Sequence, residues 1–252
     1  MRYLKKFNES LNDIDSICKK YGIENYTING DGSINVDGDV NLNNRGLSKL
    51  PLKFGSVSGD FYCYSNKLNS LEGAPELVDG DFICSNNKLK SLEGSPKSVS
   101  GDFYCKKNQL TSLRGAPEFV GGIFYCGDNQ LTTLEGAPEL VDGSFYCDNN
   151  QLTSLEGAPK SVGGHFKCND NKLTSLLGAP KSVVGNFNCC KNQLTSLEGA
   201  PGLLGGSFYC DSNPVESIWK LFKDYSKVEI LNDYDVIRDN KVILDRLNDF
   251  LI

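Results

Sequence analysis

The sequence predicts a repeat solenoid, a fold in which short coils stack and each buries its apolar face against its neighbours. A stretch of the chain, 59–78, returns without a slip at intervals of 21 residues. Fixed periods of 20 to 50 residues are typical of solenoids. Within each repeat, apolar and polar residues alternate as in a β-strand that is buried on one side. One elongated domain with end caps therefore accounts for the 252 residues.

Three positions mark the period most clearly. The cysteine is found at Cys63, Cys84, Cys105, Cys126, Cys147, Cys168, Cys189 and Cys210. The asparagine is found at Asn66, Asn87, Asn108, Asn129, Asn150, Asn171, Asn192 and Asn213. The phenylalanine is found at Phe61, Phe82, Phe103, Phe124, Phe145, Phe166, Phe187 and Phe208.

The core of each repeat, Gly-x-Phe-x-Cys-x-x-Asn-x-Leu-x-x-Leu, resembles the leucine-rich repeat, with Phe and Cys where that family usually has leucines. The resemblance covers roughly 36–218. The repeat is also similar to a short subfamily found in bacterial effectors and in proteins of tailed phages, down to the Leu-Thr-Ser-Leu-Glu-Gly-Ala-Pro run that begins at Leu152. The resemblance implies a leucine-rich-repeat horseshoe with a parallel β-sheet on its concave face.

Residues 1–35 are predicted to form an N-terminal cap. Apolar residues at helical spacing indicate a helix over 1–22, with Gly22 as its C-terminal cap. The segments 26–28 and 34–36 alternate around a glycine-containing turn and predict a β-hairpin. We expect this hairpin to cover the exposed first edge of the solenoid sheet.

Residues 36–213 are predicted to form nine coils, the first of which diverges because Arg45 stands at the asparagine position. Residues 214–252 are predicted to form a helical C-terminal cap. Two apolar stripes at helical spacing support it. The stripes are Val215, Ile218, Phe222 and Tyr225, then Ile243, Leu247, Phe250 and Leu251.

Alternation assigns the faces of each coil. Phe61 and Cys63 point inward, whereas Tyr62 points outward from the sheet. We expect Asn66 to turn inward and bond backbone groups at the bend and in the next coil. The short Gly73-Ala74-Pro75 segment breaks any helix, so the convex side is predicted to be extended or turn-like.

Composition limits the function classes. The net charge is -6, and the 26 Lys and Arg are scattered, so nucleic acid is not an expected partner. No apolar run is long enough for a signal peptide or a membrane span, which predicts a soluble cytoplasmic protein, in the host cytoplasm if it is phage-encoded. The column of cysteines is interpreted as small buried side chains, because a straight column cannot place four thiolates around a metal ion. No metal or cofactor is expected.

No catalytic constellation is predicted. His165 is the single histidine and Cys190 the one cysteine at an outward repeat position. Strand geometry places the two about 14 Å apart, beyond hydrogen-bond reach. Asp60, Asp81 and Asp102 form a row of acids, expected to be exposed, without a neighbouring base. We therefore expect a non-enzymatic protein.

The outward row of the strands is the candidate binding surface, because exposed aromatic residues on a concave surface often anchor a partner. A purely structural ladder of tyrosines is the alternative interpretation, although the row changes character after Tyr146. The column of glutamates on the other side, which includes Glu135 and Glu156, is interpreted as a solvated face. The predicted partner-binding residues are Tyr62, Tyr64, Tyr104, Lys106, Tyr125, Tyr146, His165, Lys167 and Tyr209.

The sequence therefore favours a recognition module that binds a protein partner on its concave face, and the phage resemblance implies a host or defence factor as that partner. Two alternatives stay open. The tyrosines could stack on a nucleotide or another flat small molecule and sequester it. The chain could instead be a structural component of a virion or a larger assembly, with its helical ends as the contacts.

Overall fold

The computed structural model describes residues 13–214, together with the short segments 237–238 and 241–242. Within 13–214 the chain is a solenoid whose coils each contribute one short strand to each of two parallel sheets. Outside these strands each coil consists of turns, bends and irregular segments, and helix in the described part is confined to its N-terminal end. The predicted repeat solenoid of the leucine-rich-repeat type, with an extended and turn-like return segment, is confirmed.

The N-terminal part begins with a helix, α1, that covers 13–21. It ends at Gly22, which has a φ of +67° and is therefore suited to the predicted helix cap. The predicted hairpin follows, with β1 (Tyr26–Ile28) antiparallel to β2 (Ile34–Val36). The part of the predicted helix before residue 13 lies outside the described residues.

The nine-stranded sheet contains one strand from each coil, paired in parallel with its neighbours. Its strands are β3 (Val40–Asn41), β5 (Phe61–Tyr62), β7 (Phe82–Ile83), β9 (Phe103–Tyr104), β11 (Phe124–Tyr125), β13 (Phe145–Tyr146), β15 (Phe166–Lys167), β17 (Phe187–Asn188) and β19 (Phe208–Tyr209). Equivalent residues pair across strands, so Phe124 lies beside Phe145. The strand count agrees with the nine predicted coils.

The ten-stranded sheet lies on the return segments of the coils and includes the hairpin. After β1 and β2 its strands are β4 (Phe54–Val57), β6 (Leu77–Val78), β8 (Ser98–Val99), β10 (Phe119–Val120), β12 (Leu140–Val141), β14 (Ser161–Val162), β16 (Ser182–Val183) and β18 (Leu203–Leu204). The hairpin therefore covers the first edge of this second sheet, because β2 pairs with β4. The nine-stranded sheet begins instead at β3, so the edge prediction was wrong about which sheet is covered.

A glycine joins the two strands of each coil at a tight corner. At Gly80, an added Cβ would lie 2.8 Å from the backbone carbonyl of Gly59 in the preceding coil. Neighbouring coils therefore approach too closely at this corner for any side chain, which explains why glycine recurs there.

The interior is a set of parallel columns. The phenylalanine rings of successive coils stack with centroids 5.2 to 5.6 Å apart and ring planes within 3° to 12° of parallel. The cysteines form the next column, and all eight are buried. Several of these thiols donate to the backbone of the following coil; Cys126 Sγ, for example, lies 3.3 Å from the Tyr146 carbonyl oxygen. The predicted inward direction of both columns is confirmed.

The asparagine column joins each coil to the one before it. Asn150 Nδ2 donates to the carbonyls of Cys126 and Cys147 at 3.2 and 3.1 Å, and its Oδ1 accepts from the Leu131 amide at 3.0 Å. Cys126 and Leu131 belong to the preceding coil. The asparagines are inward-facing and bond backbone groups at the bend of their own coil, as predicted. Their partners in another coil lie in the preceding coil and not in the next one, so that part of the prediction is wrong.

The residue before each asparagine, or before Arg45 in the first coil, bends the chain at a positive φ of 52° to 59°. These residues are Asn44, Ser65, Asn86, Lys107, Asp128, Asn149, Asp170, Lys191 and Ser212. Because the left-handed conformation disfavours β-branched and bulky side chains, short polar residues predominate there. This bend turns the chain out of the sheet and places the asparagine beneath it.

The predicted C-terminal helical cap over 214–252 lies almost entirely outside the described residues. An antiparallel pair, β20 (Ile237–Arg238) with β21 (Lys241–Val242), is described between the two predicted apolar stripes, and at these four positions the chain is extended and not helical. The division of the chain into cap, array and cap stays a prediction.

Candidate functional site

The outward side of the nine-stranded sheet, here called the tyrosine face, carries the predicted binding residues. Its middle row is Tyr62, Ile83, Tyr104, Tyr125, Tyr146, Lys167, Asn188 and Tyr209. The row was expected to be exposed to solvent. Its tyrosines are instead half-buried, apart from Tyr209, which is 42% exposed. The side chains cover one another because the coils are close and the tyrosine rings are large.

Three consecutive tyrosines form a continuous cluster. The ring centroids of Tyr104 and Tyr125 are 5.9 Å apart, and those of Tyr125 and Tyr146 are 5.5 Å apart. Both pairs are edge-to-face, with an interplanar angle of 89°. The expectation that the rings lie side by side at the strand spacing is thus wrong in orientation, although the continuous aromatic surface is present. Edge-to-face contact places the positive ring edge against the negative face of the next ring.

Two lysines hold their charges on the faces of these rings. Lys106 Nζ lies 4.8 Å from the centroid of Tyr125, and Lys167 Nζ lies 4.4 Å from the centroid of Tyr146. Both distances are within the range of a cation–π contact. Five of the predicted residues, Tyr104, Lys106, Tyr125, Tyr146 and Lys167, therefore form one connected group.

A glycine that the sequence reasoning missed shapes this cluster. At Gly127 an added Cβ would come within 2.5 Å of Tyr125 Cε2. The ring of Tyr125 therefore leans across a position where every other residue type would displace it. The signal was available, because glycine interrupts an outward row that otherwise carries side chains.

A row of residues flanks the middle row on each side. The row that begins with Asp60, Asp81 and Asp102 carries acids that are structural as well as charged. Asp60 Oδ1 accepts the Asp81 amide at 2.7 Å, and Asp81 Oδ1 accepts the Asp102 amide, also at 2.7 Å. Each side chain thus satisfies a backbone donor of the following coil. These acids are half-buried, so the expectation that they form an exposed row was wrong.

The tyrosine hydroxyls point to carboxylates. Tyr62 donates to Asp60 Oδ2. Burial, and then the hydrogen bond to Asp102, raise the pKa of Tyr104 to about 12. Burial and the nearby Asp148 raise the pKa of Tyr125 to about 12. The hydroxyls therefore keep their protons at neutral pH and act as donors.

The remaining predicted residues lie away from the cluster. Tyr62 is separated from Tyr104 by Ile83, and Tyr209 from Tyr146 by Lys167 and the next coil. Tyr64 is half-buried in the row on the other side of the middle row, where its amide donates to the Asn43 side chain at 2.9 Å.

His165 and Cys190 have separate partners. His165 Nδ1 accepts the Asn186 amide at 2.8 Å, so the ring is fixed by the backbone of the next coil. Cys190 Sγ lies 3.7 Å from Asp211 Oδ2. The two side chains are thus directed to different groups, and the face presents no Cys–His pair.

The outer side of the ten-stranded sheet has a different character. It exposes large apolar side chains: Leu77, Phe119, Leu140 and Leu203 are 50%, 37%, 46% and 70% exposed. Exposed ion pairs lie beside them, including Lys160 to Glu139 at 3.1 Å. No tyrosine cluster forms on this side within 13–214.

Two further properties bear on the site. Among the described residues, no group of three or more His, Cys, Asp or Glu side chains could hold a metal ion. The described helix is too short to cross a lipid bilayer.

No protein-family model and no curated protein matches the chain. Among solved structures, it is similar to YopM, a leucine-rich effector protein from Yersinia pestis, with 23% identity, a TM-score of 0.49, and coverage of 69% of this chain and 49% of that one. YopM from Yersinia enterocolitica matches with 20% identity, a TM-score of 0.28, and coverage of 69% and 56%. The chain thus spans about half the length of these effectors. Because both TM-scores are below 0.5, nothing of their function is transferred.

Proposed function

We propose that the chain is a non-enzymatic recognition module that binds a partner protein on its tyrosine face. The sequence resemblance to effector and phage proteins suggests a host or defence factor as the partner, encountered in the cytoplasm of the host if the chain is phage-encoded. The observation that supports this proposal is the connected group formed by Tyr104, Tyr125 and Tyr146 with the two lysines.

The tyrosine cluster suits protein binding for two physical reasons. The rings are already held by one another and by Lys106 and Lys167, so little side-chain entropy is lost when a partner covers them. Tyrosine also combines a large apolar ring with a hydroxyl donor, and for this reason it is enriched among the residues that dominate interfaces.

The geometry disfavours the nucleotide-sequestering alternative. A flat base would stack on an open ring face, but Tyr125 and Tyr146 each carry an ammonium group, and within the cluster this leaves Tyr104 alone without such a contact among the described residues. The carboxylates of Asp102 and Asp148 beside the cluster would also repel phosphate. The structural-assembly alternative has the helical ends as its contacts, and the apolar outer side of the ten-stranded sheet, which includes Phe119 and Leu140, would offer such an assembly a further surface.

The proposal is tested by removing the central ring. A partner is first captured from host lysate with the full chain and identified by mass spectrometry. Its affinity is then measured by calorimetry with the wild type and with Tyr125→Ala. We expect a loss of ~2 kcal/mol, or about thirtyfold in Kd, if Tyr125 is a central anchor.

The matched control is Glu156→Ala on the opposite side of the coil, where the side chain is exposed. Its affinity for the partner should equal that of the wild type. Thermal unfolding of both variants checks that the fold is intact. If Phe119→Ser and Leu140→Ser abolish binding while Tyr125→Ala does not, the recognition proposal is wrong and the assembly alternative replaces it.

A further inference from the structure

The tyrosine face holds cations wherever the chain supplies one. Tyr125 and Tyr146 each carry the ammonium group of a lysine of the chain itself on their ring. Tyr62 and Tyr104, nearer the N-terminus, have no such contact with a described residue. The two halves of the face therefore differ in whether their tyrosine rings are already occupied.

Tyr62 and Tyr104 are two coils apart, with β7 between them, and both are half-buried. Parallel strands lie ~4.8 Å apart, which places their backbones about 9.6 Å from each other. The residue between them is Ile83, whose branched side chain is much shorter than a tyrosine ring. The row therefore has a gap above Ile83, here called the notch, with a tyrosine on each side. A cation at its centre would lie about 4.8 Å from each neighbouring strand, a separation that permits cation–π contact with either ring.

The coil beneath this notch also has unused hydrogen-bonding capacity. In the coils on either side, a tyrosine hydroxyl is directed to the aspartate of the flanking row, as at Asp60. Ile83 has no hydroxyl, so Asp81 Oδ2 makes no hydrogen bond within the described part of the chain, while Oδ1 accepts the Asp102 amide. Burial, and then the neighbouring Asp102 and Asp60, raise the pKa of Asp81. A cation placed beside Asp81 would donate to the unbonded Oδ2 and would stabilise the charged carboxylate against its burial.

A second, independent observation concerns Ser85, on the other flank of Ile83. Its side chain is 7% exposed, and Oγ is buried without a hydrogen-bond partner among the described residues. Buried hydroxyls are seldom left unpaired, because the lost hydration is not replaced. Asp81 Oδ2 and Ser85 Oγ are thus two oxygens of the coil that carries Ile83 for which the described residues supply no hydrogen-bond partner.

We propose that the notch above Ile83, between Tyr62 and Tyr104, receives an arginine side chain of the partner protein, with Asp81 as its counter-ion. A guanidinium group fits this position better than an ammonium group, because it is planar, stacks on aromatic rings and is more weakly hydrated. Ser85 Oγ is buried, so it pairs with a second donor of the same partner segment only if its side chain turns outward on binding. The inference rests on the proposed function and specifies the chemistry of the partner.

The position is tested with the full chain carrying 13C-labelled isoleucine methyl groups. The probe is N-acetyl-arginine amide, and the matched probe is N-acetyl-citrulline amide, which has nearly the same shape without the charge. We expect the Ile83 methyl signal to shift saturably with the arginine probe only, whereas Ile123, on the same face two coils away, stays unchanged. In Asp81→Asn the apparent affinity should fall by about tenfold.

Asp81→Asn is a conservative test of the charge. The amide oxygen can still accept the Asp102 amide, as Asn186 in the same row accepts the Ser207 amide at 2.9 Å. Glu156→Gln removes the same charge from the opposite side and should leave the Ile83 response intact. Equal shifts with both probes, equal losses in both variants, or no shift of Ile83 would each overturn the proposal.

The two proposals fail separately. If Tyr125→Ala weakens binding of the captured partner while Asp81→Asn leaves it unchanged, recognition by the tyrosine face stands and the arginine notch is wrong. If neither variant affects that partner, both proposals are wrong. If a free small cation binds at Ile83 but partner affinity is unaffected, the notch is a small-cation site and not part of the protein interface.

Discussion

Two aromatic columns run along the same strands of the solenoid, one on each side of the nine-stranded sheet. On the inside, phenylalanine occupies every repeat from Phe61 to Phe208, and the rings are stacked within 12° of parallel. On the outside, the row contains isoleucine, lysine and asparagine as well as tyrosine, and the two pairs of neighbouring tyrosine rings are perpendicular. Adjacent residues such as Phe124 and Tyr125 thus differ both in how their rings pack and in whether their residue type is the same in every repeat.

The difference shows which side of the sheet is constrained by packing. An interior column keeps the same residue type in every coil, because each coil must present the same side-chain volume to the next at a fixed spacing. The outer row has no such requirement, so its residues are free to differ along the axis. The residues that vary among repeats on the tyrosine face can therefore determine which partner binds. The uniform residues inside hold the coils together.

The largest expected effect comes from the buried thiols of the inner cysteine column. Burial raises the pKa of the column members Cys63, Cys84, Cys105, Cys126, Cys147, Cys168 and Cys189 above the ordinary thiol value of about 9.0. The native thiols keep their protons at a pH where the unfolded chain releases them, so the free energy of unfolding falls as pH rises. Each thiol contributes a loss of up to ~1.4 kcal/mol per pH unit above that value.

Urea unfolding at intervals from pH 7 to pH 10 measures this loss. Stability should be nearly constant up to pH 8 and decline steeply above pH 9. Cys147→Ala should reduce the slope above pH 9 by up to ~1.4 kcal/mol per pH unit, the contribution of one thiol, whatever its effect on stability at pH 7. A flat profile to pH 10 would show that the column is hydrated and that the inner side is less close-packed than the outer side.

The second prediction compares neighbouring residues on the two sides of one strand. Phe124→Ala should lower the free energy of unfolding by ~3 to 5 kcal/mol, because it leaves a cavity between two stacked rings. Phe124→Leu, which keeps most of the volume, is the control and should cost much less. A cost for Phe124→Ala below that of Tyr125→Ala would reverse the assignment of the two faces.

The third prediction concerns the buried amides that join the coils. Asn150→Ala should cost about 2 to 3 kcal/mol in urea unfolding, because the Leu131 amide loses its partner and the Cys126 carbonyl keeps only the bond from Asn129. The neighbouring Asn149 has a φ of +54°, which glycine adopts without strain. Asn149→Gly should therefore be close to neutral. Equal effects of the two changes would mean that the bend, and not the inward amide, joins the coils.

The fourth prediction measures the outer column by itself. Tyr125→Ala removes two edge-to-face contacts and the ring beneath Lys106, so it should lower the free energy of unfolding by about 1 to 2 kcal/mol. Urea unfolding at pH 7, beside Phe124→Ala, gives the comparison directly. A stability loss as large as that of the phenylalanine would make the tyrosine row a structural ladder, the alternative that the sequence leaves open.

The smallest effect is expected at Cys190, the half-buried cysteine on the tyrosine face. It should react first with a maleimide reagent in the native protein, although burial raises its pKa and slows the reaction relative to a free thiol. Modification should leave the stability unchanged. The column cysteines should react only after denaturation, and fast native labelling of six or more thiols would contradict their burial.

Much of the fold follows from the sequence because one rule applies to every repeat. Alternation places Phe124 inside and Tyr125 outside, and the period sets the number of coils. The ten-stranded sheet was not foreseen, because two-residue strands such as β12 form only once the corner glycines have stacked. The partners of Asn150 at the bend follow from the sequence, but its partners in another coil were placed on the wrong side, since the direction of a bend depends on the φ of Asn149.

The candidate site could be predicted in its members but not in its geometry. Tyr104, Tyr125 and Tyr146 are recognisable from their outward repeat position. Their perpendicular rings depend on the space left by Gly127 and on where Lys106 extends, neither of which a repeat pattern contains. The importance of Ile83 is visible only as a missing ring between two tyrosines once the coils are stacked.

The pairing of each residue with its equivalent 21 positions away makes the length of the molecule an adjustable quantity. Excision of 126–146 would join Tyr125 directly to Cys147, which occupies the position of Cys126 in its own coil. Every backbone hydrogen bond between coils then has a counterpart, and the shortened chain differs from its parent by one layer. Because Tyr146 leaves with that layer, Tyr125 would come to lie beside Lys167. The tyrosine face can thus be lengthened, shortened or reordered one coil at a time.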